Sequence, residues 1–282
     1  MHYLVPRDLA EAIRFRHTTG FPVLAGGTDL YPAIEHGLRL DGFIDISAVT
    51  ELRGPIRCIG NSWVIPALTT WSAVISAKLP PQFDALKQAA AQVGGRQIQN
   101  TGTVGGNICN ASPAADGAAV LLALDASVLI AGISGKRELP LATFICGNRR
   151  TALKAGELVE AIRVPARKRR HASTFKKLGA RRYLVISIVM VCAVIEIDED
   201  GCIQWAAISV GACADRPLRL EAVERRMLGA KLGAISQLIL TDAELALLAP
   251  IDDIRGSGLF RRAAAKALVE EALQEISEAL MT

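Results

Sequence analysis

Two glycine-rich segments constrain this chain more than any other feature of its sequence. The first, residues 25–30 (Ala-Gly-Gly-Thr-Asp-Leu), lies between a short apolar run and an apparent helix. The second lies in residues 100–107, where three glycines fall within eight residues that show no hydrophobic periodicity. Glycine permits positive φ and close approach of a ligand to the main chain, and successive amides in such a turn form an anion-binding nest. We predict a phosphate-binding loop at the second segment. Residues 25–30, taken alone, favour a tight strand-to-helix turn that binds no ligand, with a phosphate-binding loop as the alternative.

The residues around the second segment, whose loop we place at Thr101–Asn107, supply polar groups but no cation. Thr101 and Thr103 offer hydroxyls, Asn107 offers an amide, and Asp116 stands near the start of the next helix. Asp116 is either a helix-start residue that balances the dipole or a hydrogen-bond acceptor for ribityl or sugar hydroxyls. Because neither segment contains Lys or Arg, a nucleotide bound here would depend on backbone amides.

The remaining sequence predicts an α+β chain. Asp8 and Glu11 have the spacing of a capping box at the start of a first helix. A basic run near residues 164–171 marks the clearest boundary, as a solvated linker or, alternatively, a nucleic-acid or phosphate patch. Helices are predicted from residue 9 and over residues 31–36, 81–93, 114–124, 218–228, 235–240 and 257–280, and strands over 21–25, 43–46, 56–65, 127–131, 183–197 and 203–210.

Composition limits the class of protein. The 282 residues are 51% hydrophobic and 21% charged, which indicates a globular chain of about two domains. A net charge of +4 is too small to indicate nucleic acid or an anionic membrane as the main partner. No leader and no apolar run of spanning length is present, and the six cysteines are too dispersed for a metal site. We expect a cytoplasmic protein with reduced thiols, no membrane span and no metal.

Common catalytic signatures are missing from the sequence. It has no Gly-x-Gly-x-x-Gly, no phosphate loop with Gly-Lys-Ser/Thr, no nucleophile elbow and no histidine pair with metal-ligand spacing. A protein that binds a redox cofactor can leave the chemistry to that cofactor. We therefore name no catalytic side chain.

Three motifs, in this order and spacing, resemble one family. Ala-Gly-Gly-Thr-Asp-Leu at 25–30, Thr-Val-Gly-Gly-Asn at 103–107 and Ser-Pro-Ala-Ala-Asp at 112–116 are similar to those of the FAD-binding subunit of molybdenum hydroxylases. That family includes the medium subunit of carbon monoxide dehydrogenase and the flavin subunits of bacterial xanthine dehydrogenase and 4-hydroxybenzoyl-CoA reductase. Later segments fit as well, including Phe-Lys-Lys-Leu-Gly at 175–179 followed by Arg181 and Arg182, so the resemblance covers nearly the whole chain.

The resemblance implies a fold and a set of FAD contacts. The fold would be an FAD-binding domain of the vanillyl-alcohol-oxidase type over residues 1–165, with subdomains of about 1–53 and 54–165, and a C-terminal domain over 172–282 with a β-meander and helices. The segment Leu24–Leu30 would wrap the pyrophosphate, and Cys109, Leu158 and Lys177 would approach the flavin. Thr103, Gly105, Gly106 and Asn107 would hold the phosphate and ribityl side, and Asp116 would act as a polar anchor. The segment Leu24–Leu30 comprises Leu24, Ala25, Gly26, Gly27, Thr28, Asp29 and Leu30.

The resemblance also implies a function. FAD would be the only cofactor of this chain and non-covalent, because neither glycine segment contains a histidine. Molybdopterin would belong to a large partner subunit and two-iron two-sulfur clusters to a small one, and electrons would pass from those clusters through the flavin to NAD+ or a quinone. Two alternatives stay open: a stand-alone flavin reductase resembling the cell-wall enolpyruvyl reductase, and a non-enzymatic nucleotide- or nucleic-acid-binding module.

Overall fold

The computed structural model describes residues 1–181 and 184–281, which form a mixed α+β structure. The strands are β1 His2–Leu4, β2 Val23–Leu24, β3 Gly42–Asp45, β4 Arg57–Ile59, β5 Ser62–Pro66, β6 Ser127–Gly132, β7 Gly135–Pro140, β8 Ile145–Gly147, β9 Arg150–Thr151, β10 Leu158–Pro165, β11 Arg170–Leu178, β12 Val189–Ile197, β13 Ile203–Gly211 and β14 Leu218–Arg219. The helices are α1 Leu9–Thr19, α2 Leu30–Glu35, α3 Trp71–Ser76, α4 Asp84–Gln92, α5 Arg96–Thr101, α6 Val104–Asn110, α7 Asp116–Ala123, α8 Leu141–Phe144, α9 Glu221–Met227, α10 Leu232–Ile235 and α11 Gly258–Met281.

The N-terminal part is a small parallel sheet in the order β1-β3-β2. Helix α1 begins as predicted, since Asp8 Oδ1 accepts from the Glu11 amide at 2.7 Å. The reciprocal bond of the capping box differs from the prediction, because Glu11 Oε2 accepts from the amide of Arg7 rather than that of Asp8. Leu9, Ile44 and other buried apolar side chains of this part form a core that also includes Leu68, Ala131 and Leu158 of the middle of the chain.

The middle of the chain forms a five-stranded antiparallel sheet in the order β4-β5-β10-β6-β7. Helices α3, α4, α6 and α7 share a core with it, and all eight residues of α7 are buried. Trp71, Phe83 and Leu121 are among the largest fully buried side chains of the described residues. These helices place residues 103–110 beside the first sheet.

The C-terminal sheet, in the order β11-β12-β13-β14, is covered on both faces. On β12, Met190, Cys192 and Val194 belong to the same core as α4 and α7. The alternate residues Val191 and Ile195 pack instead with α9 and α11. Because successive side chains of a strand point to opposite faces, a nearly continuous apolar strand joins two cores.

Several predicted elements need correction. The predicted loop Thr101–Asn107 is wrong: α5 ends at Thr101, and residues 104–107 form the start of α6. Residues 236–240 are not helical. The strand predicted from residue 183 begins at Val189 among the described residues, and Arg182 and Tyr183 lie outside them. Strands β1, β7, β8, β9, β10, β11 and β14 are additional to those predicted, and β14 occupies the start of the helix predicted over 218–228.

Candidate functional site

A cleft of about 620 Å³ lies where the N-terminal part meets the middle of the chain. Residues of the β2–α2 connection form one side of it, and the first turns of α6 form another. The β9–β10 connection and the start of β10, including Leu158, contribute a third group of lining residues. Of the predicted site residues, the cleft contains Leu24, Ala25, Gly26, Gly27, Thr28, Asp29, Leu30, Thr103, Gly105, Gly106, Asn107, Cys109 and Leu158.

The backbone of residues 25–29 is open toward a ligand. Among the described residues, none of these five amide groups donates a hydrogen bond to another group of the chain. Gly27 has a φ of +71°, which turns the chain between β2 and α2. Residues 25–28 are buried or half-buried and Asp29 is exposed. Backbone amides without partners away from bulk water are rare in proteins, so this row beside a cleft favours an anion-binding surface.

The two glycine segments are in direct contact. A Cβ on Gly26 would lie 1.9 Å from the carbonyl oxygen of Thr101. Only glycine therefore allows the first segment to approach the end of α5 this closely. The contact holds the open amides beside the N-terminus of α6.

Helix α6 starts with a side-chain cap that faces the same cleft. Thr103 Oγ1 accepts from the Gly106 amide at 3.0 Å. A Cβ on Gly105 would lie 2.7 Å from the Ala67 carbonyl oxygen, whereas one on Gly106 would meet only Thr103 Oγ1. Gly105 is therefore required for packing, and a side chain on Gly106 would face the cleft but crowd the Thr103 cap, at 2.8 Å from Oγ1.

Asn107, which lines this cleft, carries an unpaired polar atom. Its side-chain Oδ1 is buried and has no hydrogen-bond partner within the described structure. A buried acceptor of this kind costs about 1–3 kcal/mol when it is left unsatisfied. Asn107 Oδ1 is thus a second feature, besides the open amides, that a polar ligand would satisfy.

Two arginines line the cleft and both are engaged by the protein. Arg16 Nη1 donates to the carbonyl oxygens of Gly20 and Phe21, at 2.6 Å each. Arg149 lies 3.7 Å from Asp29 Oδ1 and donates to Asn110 Oδ1. The positive charge of the cleft therefore comes from outside the two glycine segments.

Cys109 contributes an inert thiol to the wall. Burial raises the pKa of the Cys109 thiol to about 12, against a small opposing effect of Arg16. The thiol is therefore protonated at neutral pH and is a poor nucleophile.

Asp116 and Lys177 do not line the cleft, which differs from their expected position as a free polar anchor and a ring-edge cation. Lys177 Nζ lies 2.6 Å from Asp116 Oδ2, and Ser187 donates to Asp116 Oδ1 at 2.6 Å. Burial raises the pKa of Asp116, against the opposing effects of Lys177 and Ser187. Lys177 also borders a separate cavity of about 430 Å³ with Gln92 and Val185. Their part in binding flavin stays a prediction.

The sequence reasoning missed several lining residues. Arg16, Asn110, Arg149 and Glu157 are distant in sequence from the glycine motifs or lie outside them. Asn110 is the missed residue that lies closest to a predicted one, since it is on the same short helix as Asn107. Nothing in the local pattern of residues 145–157 indicated that this segment would close the cleft; only Leu158, just after it, was predicted from the family resemblance.

Comparisons with known proteins agree with this geometry. Residues 1–167 match the model of the FAD binding domain in molybdopterin dehydrogenase, and residues 173–276 match that of the CO dehydrogenase flavoprotein C-terminal domain. The nicotinate dehydrogenase FAD-subunit of Eubacterium barkeri is 34% identical over 238 residues, which are 82% of this chain and 80% of that protein. The carbon monoxide dehydrogenase medium chain of Hydrogenophaga pseudoflava is 30% identical over 277 residues, which are 96% of this chain and 95% of that protein.

Solved structures give the same result. Carbon monoxide dehydrogenase from Hydrogenophaga pseudoflava, in a form that lacks the molybdenum-pyranopterin moiety, matches with a TM-score of 0.89 and 29% identity. The match covers 99% of this chain and 97% of the other. The fold and the cleft thus define a flavoprotein of the dehydrogenase type. The chain belongs to the family of FAD-binding subunits of molybdenum hydroxylases, and FAD is its cofactor.

The cleft residues fit that cofactor. The row of open amides at residues 25–29 suits a diphosphate, and the orphaned side-chain oxygen of Asn107 suits a neighbouring hydroxyl. Apolar side chains such as Leu158 provide a wall for an aromatic ring system. Within residues 1–181 and 184–281 no cluster of three or more His, Cys, Asp or Glu side chains has the arrangement of a metal site. No helix in the same ranges is long and apolar enough to span a membrane.

Proposed function

We propose that this chain holds FAD non-covalently in the cleft and serves as the electron-transfer subunit of a multi-subunit molybdenum hydroxylase of the cytoplasm. The observation that carries the proposal is the row of open amides at residues 25–29, packed through Gly26 against the helix that precedes α6. Bound FAD supplies the redox chemistry, linking two-iron two-sulfur clusters of a partner to an external acceptor, NAD+ or a quinone.

The chain's own residues bind and orient the cofactor. The open amides of residues 25–29 bind the diphosphate, because they present positive partial charge without side-chain cations. The first amides of α6 already donate within the protein, so α6 contributes only the positive end of its dipole. Asn107 satisfies its Oδ1 with a hydroxyl donor of the ligand. Leu158 and Cys109 form an apolar wall that excludes water from the flavin side.

Non-covalent binding is supported by the chemistry of the wall. No histidine lines the cleft among the described residues. Cys109 is protonated at neutral pH because burial raises the pKa of its thiol to about 12. The described lining of the cleft therefore offers neither a histidine nor a thiolate for attachment to the flavin.

The proposed partners follow from the relatives. Those relatives are named as the medium chain of carbon monoxide dehydrogenase and the FAD-subunit of nicotinate dehydrogenase, which implies other subunits. We propose a molybdopterin-binding large subunit and an iron–sulfur small subunit for this chain, and a division of the chain into residues 1–53, 54–165 and 172–282. The three hydrophobic clusters support that division only in part, since one of them extends into the C-terminal sheet.

The experiment compares two glycine substitutions, each in the first turn of a short helix. Gly106→Val places a branched side chain in the cleft, so FAD titrated into the purified protein is expected to bind at least tenfold more weakly. Gly233→Val is the matched control, because Gly233 is exposed in α10 and meets only Met281 nearby. Circular dichroism checks that both variants fold.

The FAD affinities of the two variants decide whether the cofactor binds in this cleft. Loss of FAD affinity in Gly106→Val with normal affinity in Gly233→Val supports the proposal. Normal FAD affinity in a folded Gly106→Val protein would contradict the placement of the cofactor in this cleft.

A further inference from the structure

Three residues at the rim connect opposite sides of the cleft. Asn110 Nδ2 donates to Asp29 Oδ1 at 2.8 Å, and Arg149 donates to Asn110 Oδ1 while its Nη1 lies 3.7 Å from Asp29 Oδ1. These three side chains come from the β2–α2 connection, from α6 and from the β8–β9 turn. We call Asp29, Asn110 and Arg149 the clasp.

The Asp29 side chain belongs to the clasp and does not cap the helix that it precedes. It stands at the N-cap of α2, where an Asp side chain usually accepts from an amide of the first turn. The Asp29 side chain makes no such capping bond. Its carboxylate is directed across the cleft instead, toward Asn110 and Arg149.

The backbone around Arg149 is held in an uncommon conformation. Arg149 has a φ of +56° and Ala111 a φ of +48°, and the Arg149 amide donates to the Ala111 carbonyl oxygen at 2.9 Å. Non-glycine residues in the left-handed region carry a conformational cost that persists when the surroundings impose it, as they often do at ligand sites. Here two such residues share one hydrogen bond, and this bond positions Arg149 next to Asn110.

The segment that the clasp holds has little other anchorage. None of the residues of α2 is buried, and the five preceding amides make no bond within the described chain. A segment with few buried contacts opens at low free-energy cost. Gly26 packs against Thr101. In addition to this contact, the clasp connects the segment to α6 through side-chain hydrogen bonds.

We propose that the clasp is a latch that holds residues 27–36 against α6 over the bound dinucleotide and so controls the rate at which the cofactor leaves. Arg149 and Asn110 act as positioning residues, because they act on the ligand through the segment that covers it. The inference rests on the proposed function, since it requires FAD in this cleft.

The test measures the rate of FAD release after dilution of the FAD-loaded full-length protein, followed by the rise in flavin fluorescence. Arg149→Ala and Asp29→Ala are each expected to speed release about three- to tenfold, in the range of a partly exposed charge pair with hydrogen bonds. The double variant should release no faster than the faster single variant, because both substitutions break the same latch. Arg149→Lys should fall between wild type and Arg149→Ala.

Two further readouts separate a latch from a general loss of stability. The thermal midpoint of the cofactor-free protein should change little in either variant. Release from wild type should quicken as salt is raised, whereas release from Arg149→Ala should not. Arg163→Ala is the control, since Arg163 forms a half-exposed pair with Glu138 away from the cleft, and it should release FAD at the wild-type rate.

Each contrary outcome has one meaning. Release from Arg149→Ala at the wild-type rate would overturn the latch while leaving the proposed function intact. Faster release from Arg149→Ala together with unchanged or slower release from Asp29→Ala would also overturn it, because Arg149 would then bind the ligand directly. Wild-type protein that binds no FAD would overturn the proposed function and this inference together.

Discussion

Glu157 shows how one charged residue can be fixed at the edge of a cleft. Its two carboxylate oxygens accept from Arg137 Nε and Nη2, at 2.7 Å each, and Oε2 also accepts from the Lys154 amide at 2.7 Å. These hydrogen bonds, that from Arg137 first, lower the pKa of Glu157 against the opposing effect of burial. A two-pronged arginine pair with a backbone donor is stronger than an ordinary surface pair, so the β9–β10 connection is held in place.

We predict that Glu157→Gln lowers the free energy of unfolding by about 1–2 kcal/mol at neutral pH. The lowered pKa means that the ionised group stabilises the fold above the ordinary pKa of glutamate, and that this contribution is lost as pH falls through the folded-state pKa. The difference between wild type and variant should therefore shrink on acidification. Urea unfolding at several pH values measures it, with Glu138→Gln as control; a difference that is constant with pH would contradict the assignment.

At the scale of elements, the glycine-rich segments were identifiable from sequence but only one had the predicted structure. Residues 25–29 form a connection between a strand and a helix, as the pattern indicated. Residues 104–107 are helical because Thr103 caps the Gly106 amide and Gly105 packs against Ala67. Glycine lowers helix propensity, so the sequence predicted a loop. Tertiary packing instead requires a helix that has glycine at two of its first positions.

The additional strand β11 has a different cause. Ser173 and Thr174 are buried in it, which conceals the apolar alternation of a strand. Ser173 Oγ donates to the Pro81 carbonyl oxygen at 2.9 Å and accepts from the Ala85 amide at 3.0 Å. Thr174 donates to Glu275 Oε1 at 2.5 Å. Such buried polar residues are satisfied by distant partners, which sequence patterns do not reveal.

At the scale of the whole molecule, the C-terminal sheet cannot be separated from the rest without exposing a core. Met190, Cys192 and Val194 face α4 and α7 rather than solvent. Arg167 lies over the Trp205 ring at 3.3 Å from its centroid, and Arg219 pairs with Asp125 at 2.6 Å. The sequence indicated the boundary near residue 165 but not this second face, because a strand covered on both sides has no polar alternation.

We predict that residues 172–282 expressed alone do not form a stable monomer, because one face of β12 would be exposed as a contiguous apolar patch. Aggregation, or strong binding of a hydrophobic dye relative to the full-length chain, is the expected result. Size-exclusion chromatography and dye fluorescence measure it. A monomeric fragment with a cooperative unfolding transition would contradict the shared core.

Hydrogen–deuterium exchange of the full-length chain, with and without FAD, shows whether the cleft amides bind the cofactor. The amides of residues 25–29 make no bond within the described structure, and the account requires them to bind the FAD diphosphate. We predict fast exchange at these amides in the cofactor-free protein and strong protection when FAD is bound. Saturating FAD that leaves the exchange of residues 25–29 unchanged would contradict the account.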